Sequence, residues 1–149
     1  MRQFTCEATQ HTEDLGERLG RIAVPGLYVV LEGDLGAGKT AFARGVGRGL
    51  GVTSRVQSPS FILVHLHEHG RLPLAHADLY RLGDTEELEI LGLDDVREAG
   101  GVALVEWADR CPESIPADHL RVRIDFAELG RVIHISASGD LGLSVLEAL

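Results

Sequence analysis

Lysine is nearly absent from this chain of 149 residues: of its 14 Lys and Arg side chains, only Lys39 is lysine. Acidic residues outnumber cationic ones, 23 to 14, for a net charge of −9. Affinity for nucleic acid comes largely from neutralised phosphates and leaves a basic footprint. The arginines here are dispersed, which excludes tight direct binding of DNA or RNA; docking on a basic partner protein is compatible with the charge. No apolar stretch approaches the roughly 18 residues of a membrane span, and Met1 to Glu7 lack a signal peptide's apolar core. A cytoplasmic location with no membrane association is therefore expected. The two cysteines, Cys6 and Cys111, fit no metal or redox spacing, so free thiols in a reducing compartment are expected. Without a low-complexity linker, charge block or internal repeat, residues 1–149 are expected to form one domain.

What is present is concentrated around the one lysine. Gly33-Asp34-Leu35-Gly36-Ala37-Gly38-Lys39-Thr40 matches the phosphate-loop pattern G-x-x-x-x-G-K-[ST] at every fixed position. Arginine's planar fork suits carboxylates, whereas lysine delivers a compact charge on a thin stem, which a ring of backbone N–H groups can admit. From Gly36 to Thr40, and on into Ala41, those N–H groups would wrap a β-phosphate at the positive end of a following helix. Lys39 would bridge β- and γ-phosphate oxygens, and the Thr40 hydroxyl would ligate Mg²⁺.

Hydrophobic spacing supplies the context. Gln3 to Glu7 alternates as a short edge strand. Thr9 to Ala23 repeats Leu15, Leu19, Ile22 and Ala23 at helical spacing, with Thr9 or Thr12 as N-cap and Pro25-Gly26 as the stop. Leu27 to Leu31 is a continuous apolar run, as in a central parallel strand. The glycine-rich loop follows, then a helix with Phe42, Val46 and Leu50 on one stripe. Its Gly45, Gly47 and Gly49 cost on the order of 1 kcal/mol each against alanine, so either close packing requires them or the helix is loose at its far end. Phe61 to Glu68 and Leu72 to Asp78 read as an antiparallel hairpin across Glu68-His69-Gly70-Arg71. Thr85 to Leu91 reads as a short acidic helix capped by Thr85 or Asp84. Val102 to Val105 is a second buried strand, Leu120 to Phe126 and Val132 to Ala137 are further strands, and Leu141 to Leu149 is a closing helix. The expected architecture is a three-layer α/β fold of the P-loop NTPase kind, with a mixed, mainly parallel central sheet and an antiparallel hairpin addition.

Phosphoryl transfer also needs an acid near the metal, usually at the end of a neighbouring strand. Glu106 ends Val102–Val105 and Asp78 ends Leu72–Ala77, so either fits; one could serve the metal and the other place the attacking water. Ser58-Pro59-Ser60-Phe61 is a rigid turn with two hydroxyls, positioned either as an ordinary turn or as a γ-phosphate sensor. Alternation puts His76 and Asp78 on one strand face. Arg81 suits transition-state charge or a structural ion pair equally. Trp107, the only tryptophan, follows Glu106, and core filling is the default for it. His65, His67 and His69 also alternate, but ligands on one flat strand seldom converge, so solvated histidines are expected rather than a metal site.

Taken together, residues 31–40, Ser58-Pro59-Ser60-Phe61, His76-Ala77-Asp78-Leu79-Tyr80-Arg81, Glu86-Glu87-Leu88-Glu89 and Val105-Glu106-Trp107 resemble the TsaE family of small bacterial P-loop ATPases. The loop alone is generic; its combination with H-x-D-L-Y-R and E-W is specific, and the ordered set spans about residues 12 to 135. The resemblance implies a requirement in forming threonylcarbamoyladenosine at position 37 of tRNAs. It implies ATP and Mg²⁺ as cofactors, with Lys39 and Thr40 at phosphate and metal. It further implies Glu106 as the metal-associated acid, Asp78 as the required aspartate and Trp107 beside the site. Ser60 matches a switch-like hydroxyl that is more often threonine. The implied partners are TsaB and TsaD, with tRNA met only indirectly and an ATPase cycle that resets the complex.

Three other readings compete. A nucleotide-gated scaffold, in which binding rather than hydrolysis matters, needs the same pocket and stays open. A small-molecule kinase would need a lid and an acceptor segment for which this length leaves little room. A GTPase is excluded, because its N/T-K-x-D motif cannot exist when Lys39 is the sole lysine.

Overall fold

The computed structural model describes residues 1–59, 63–82 and 92–149. Its described strands form one seven-stranded sheet in the order β1-β7-β6-β2-β5-β4-β3. They are β1 (Arg2–Cys6), β2 (Tyr28–Glu32), β3 (Val64–His67), β4 (Leu74–Asp78), β5 (Val102–Glu106), β6 (His119–Ala127) and β7 (Gly130–Ser138). The helices are α1 (Thr9–Ile22), α2 (Lys39–Gly49), α3 (Leu93–Glu98) and α4 (Gly139–Ala148), with 3₁₀ turns at Ala108–Arg110 and Pro112–Ser114.

The central strands β6, β2, β5 and β4 run parallel. β3 adds antiparallel to β4 at one edge, and β7 then β1 add antiparallel beyond β6 at the other. The continuous apolar run of β2 has the cause expected of it, because both faces are covered. Val29 and Leu31 pack with Leu74, Leu104, Phe42 and Val46 beneath α1 and α2. Tyr28 and Val30 pack with Ala75, Val105, Leu93 and Cys111 on the opposite face. Both cysteines are buried free thiols.

Several expectations need correction. The N-cap of α1 is Ala8, with no side-chain cap; Thr12 is buried one turn inside the helix. The link between β3 and β4 runs from residue 68 to residue 73, longer than the four residues expected. The short helix α3 was not legible, since six residues give too little period to read. The helix proposed for Thr85 to Leu91, its caps Thr85 and Asp84, and the Glu86–Glu89 segment lie outside the described residues, as do Ser60 and Phe61.

Close packing explains the glycines of α2, Gly47 against the Val56 side chain and Gly45 and Gly49 against α1. A methyl group added at Gly16 or Gly20 of α1 would come closer than 3.0 Å to the carbonyl oxygens of Phe42 or Val46 in α2. The converse holds for Gly45 and Gly49, whose added methyls would meet the carbonyl oxygens of Glu13 and Glu17. The two helices thus touch backbone to backbone, and glycine is the residue that permits it. Around this seam Arg44 reaches Glu13 at 2.8 Å and Arg48 reaches Glu17 at 2.6 Å. These pairs are half exposed, so they fix orientation more than they add stability.

Propensity and packing give opposite signs for Gly45→Ala. In an open helix the change would stabilise by about 1 kcal/mol. Here it is expected to destabilise by about 1–3 kcal/mol through overpacking, read as a lower urea midpoint at unchanged slope. A rise in the midpoint would contradict the backbone contact.

Candidate phosphate-binding site

The glycine-rich loop leaves β2 at Glu32 and enters α2 at Lys39. Gly36 and Gly38 adopt φ of 81° and 114°, a region that side chains with a Cβ rarely occupy. The loop is tightened by the Ala37 N–H donating to the Asp34 carbonyl at 3.0 Å, and the first helical bond runs from Phe42 N–H to Gly38 at 2.9 Å. Gly38 provides no side-chain cap, and no acid stands in the first turn of α2. The N–H groups and positive dipole end of this helix are therefore left for an anion from outside the chain. Leu35 is the exposed tip of the loop, while Ala37 and Ala41 are buried beneath it.

Strand register brings the other groups to the same edge. Asp78 at the end of β4 lies beside Glu106 at the end of β5, and Glu106 lies beside Leu31 of β2. Leu35, Gly36, Gly38, Lys39, Thr40, Ser58, Asp78, Glu106 and Trp107 line one cavity of about 230 Å³. Gly33 and Asp34 line an adjoining cavity that shares Lys39 and Trp107. All the described residues singled out from the sequence for this site thus converge on the loop and its two flanks. Arg81 is exposed in the turn beyond β4.

Lys39 donates to the Gly33 carbonyl at 2.6 Å, stands 3.9 Å from Glu106 Oε1, and lies 5.0 Å from the centre of the Trp107 ring. Glu106 and Asp78 are 3% and 8% exposed, a costly placement for carboxylates unless each has partners. Glu106 Oε2 accepts from His76 Nε2 at 2.8 Å, and Asp78 Oδ1 accepts from the Tyr80 N–H at 2.9 Å. Asp78 and His76 share a strand face as alternation requires, yet the imidazole's partner is Glu106.

Trp107 overturns the core-filling default: it is 42% exposed. Its φ of 58° makes it the one non-glycine residue with positive φ among those described, a conformation costing roughly 1–2 kcal/mol. That kink turns the indole back over Lys39 and against the Tyr80 ring, 4.9 Å away. Strain of this kind concentrates at functional sites. The histidine face also differs from expectation. His67 is buried rather than solvated, with Ser54 Oγ 2.5 Å from its Nδ1, and His69 lies beyond the strand. Burial, then the neighbouring imidazoles of His76 and His65, lower the His67 pKa.

Behind the loop, Arg131 at the start of β7 donates to the carbonyls of Ala37 at 2.8 Å and Gly36 at 3.2 Å, its guanidinium stacked on Phe126. A trans peptide points its N–H opposite its C=O, so holding the Ala37 carbonyl aims the Gly38 N–H away from Arg131 and toward the cradle. No local pattern ties Arg131 to the loop, because the contact spans 94 residues. Arg131 also borders a cavity of about 260 Å³ with Thr9, Thr12, Gly38 and Ala41.

If the loop takes a nucleoside triphosphate, as its pattern leads one to expect, Arg131→Ala should weaken that binding about 10-fold and Arg131→Lys should restore little, because one point charge cannot span two carbonyls and keep the stack. Titration of Trp107 fluorescence with ATP measures both; full affinity in the alanine variant would contradict a loop-holding role.

Comparison with known proteins agrees with this geometry. Residues 6–133 match the family model described as "Threonylcarbamoyl adenosine biosynthesis protein TsaE". The chain is 44% identical over 115 residues to the tRNA threonylcarbamoyladenosine biosynthesis protein TsaE of Bacillus subtilis, covering 77% of this chain and 72% of that protein. It is 42% identical over 132 residues to the Streptomyces coelicolor protein of the same name, covering 85% and 88% respectively. The crystal structure of YdiB from Bacillus subtilis superimposes with a TM-score of 0.82 at 35% identity, covering 98% of this chain and 93% of that one. The chain belongs to the TsaE family of tRNA threonylcarbamoyladenosine biosynthesis proteins.

Proposed function

We infer that this protein is a Mg²⁺-dependent ATPase that serves tRNA threonylcarbamoyladenosine formation by acting on a TsaB–TsaD complex in the cytoplasm. The observation that carries the reading is the convergence of Lys39, Thr40, Asp78 and Glu106, from three separate elements, on one cavity at an uncapped helix N-terminus.

In this reading the N–H groups of residues 36–41 take the β-phosphate, with residues 33–35 shaping the turn. Lys39 exchanges the Gly33 carbonyl for β- and γ-phosphate oxygens, a short swing for a four-carbon stem. Asp78, with one oxygen engaged by the Tyr80 N–H, holds and orients the attacking water through the other. Trp107 covers the mouth and excludes bulk water. Ser60, which lies outside the described residues, is the further hydroxyl proposed near the γ-phosphate. The nucleoside half fits the cavity beside Thr9, Thr12 and Arg131.

The donor set suits Mg²⁺. That ion takes oxygen ligands and is held by one or two carboxylates plus substrate phosphates rather than by an all-protein cage. Thr40 and Glu106 would hold it, and among the described residues no group of three or more His, Cys, Asp or Glu side chains forms an all-protein cage. When bound, Mg²⁺ draws charge from the phosphate oxygens.

Phosphate release from ATP, with and without purified TsaB and TsaD, tests the reading. Turnover should be slow alone, rise with the partners and fall on the order of 100-fold in Lys39→Ala. Association that depends on ATP without added turnover would favour the gated scaffold; unchanged turnover in Lys39→Ala would remove the loop as the site.

A further inference from the structure

The environment of Glu106 contains a group that the phosphate-loop chemistry does not require. His76 sits in the middle of β4, between Leu104 of β5 and His65 of β3 in register, and is completely buried. Its strand neighbours Leu74, Ala75 and Ala77 are apolar and fully buried, so an aliphatic side chain would fill the same space. The imidazole instead brings two ring nitrogens into that core. One, Nε2, lies 2.8 Å from Glu106 Oε2; the other, Nδ1, is buried with no hydrogen-bond partner among the described residues. An unsatisfied buried polar atom is a stability cost, and packing alone gives no return for it. The return is the contact with Glu106.

The chemistry of that contact is directional. A carboxylate only accepts, so Nε2 carries the hydrogen and donates it to Oε2. This occupies the carboxylate oxygen nearer β4. The other oxygen, Oε1, is left on the side of Lys39, 3.9 Å from its ammonium, where the cavity lined by Thr40 and Asp78 begins. Rotation of the Glu106 carboxyl group, which would exchange the two oxygens, requires breaking the bond to His76.

We propose that His76 is a positioning residue: it locks the rotamer of Glu106 so that one carboxylate oxygen always faces the loop, ready for a divalent cation beside the bound triphosphate. The proposal rests on the assignment of Glu106 to Mg²⁺ made above. Groups that orient a metal-binding carboxylate typically set affinity or activity by about 10–100-fold when removed. The effect belongs to the metal-dependent part of nucleotide binding and not to the loop itself, whose N–H groups and Lys39 are independent of His76.

Calorimetric titration of ATP in EDTA and across a Mg²⁺ series separates the two parts. His76→Ala should raise the Mg²⁺ midpoint at least about 10-fold while affinity in EDTA stays close to that of the parent protein. His76→Gln places an N–H at the reach of Nε2 and should bring the midpoint back; His76→Asn, polar but too short, should behave like alanine. The Gln and Asn pair keeps the test valid if alanine impairs folding. Equal midpoints in the parent, Gln and Asn proteins, or losses in EDTA as large as those in Mg²⁺, would overturn the proposal. A parent protein whose ATP affinity ignores Mg²⁺ would overturn the site assignment and this proposal together, whereas a Mg²⁺ effect untouched by the variants would overturn only the proposal.

Discussion

Parallel pairing of β4, β5 and β2 sets the carboxylates of Asp78 and Glu106 side by side, with Glu106 next to the strand that feeds the glycine-rich loop and Asp78 one strand further out. In a parallel sheet neighbouring strands end at the same edge, and paired residues point to the same face. His76, Asp78 and Glu106 therefore continue the rows of Leu74 and Leu104, which lie under α1 and α2. The acids end up on the side of the sheet where α2 begins. A shift of one residue in β4 or β5 would send its carboxylate to the opposite face.

The helices hold the other half of the arrangement. Backbone contact between α1 and α2 leaves α2 little freedom to slide, which fixes where its uncapped N-terminus points. Arg131 fastens the loop from behind, by way of the hairpin of β6 and β7. Elsewhere the surface is less suited to phosphate. A larger cavity, about 370 Å³, lies at the opposite end of β2, but its described lining includes Asp94, Asp95 and Glu113. Three carboxylates repel a polyphosphate, so charge and not size decides which cavity can take one.

Much of this was legible in the residues because it depends on local pattern. The run at Leu27–Leu31, the loop that follows and the acids closing two apolar strands are short-range features with a physical reason to sit where they do. What escaped depends on distance in sequence. Thr12 looks like a cap until its burial one turn inside α1 is known, and Gly45 and Gly49 look like defects until α1 lies against them. Arg131 reaches the loop across most of the chain. Core filling is the default for a lone tryptophan and only the family resemblance put Trp107 beside the site; its backbone turns it outward over Lys39. The link from His76 to Glu106 joins two strands whose pairing no single stretch of sequence reveals.

The central claim is that a nucleoside triphosphate binds at the glycine-rich loop, between α2 and the ends of β4 and β5. Backbone amide shifts recorded by NMR during titration with Mg²⁺ and ATP test it most directly. The amides of residues 36–41 and the Trp107 indole N–H should move together and saturate, while Asp94, Asp95, Glu113 and Ser114 stay in place. Movement confined to the latter group, with the loop amides unchanged, would contradict the claim.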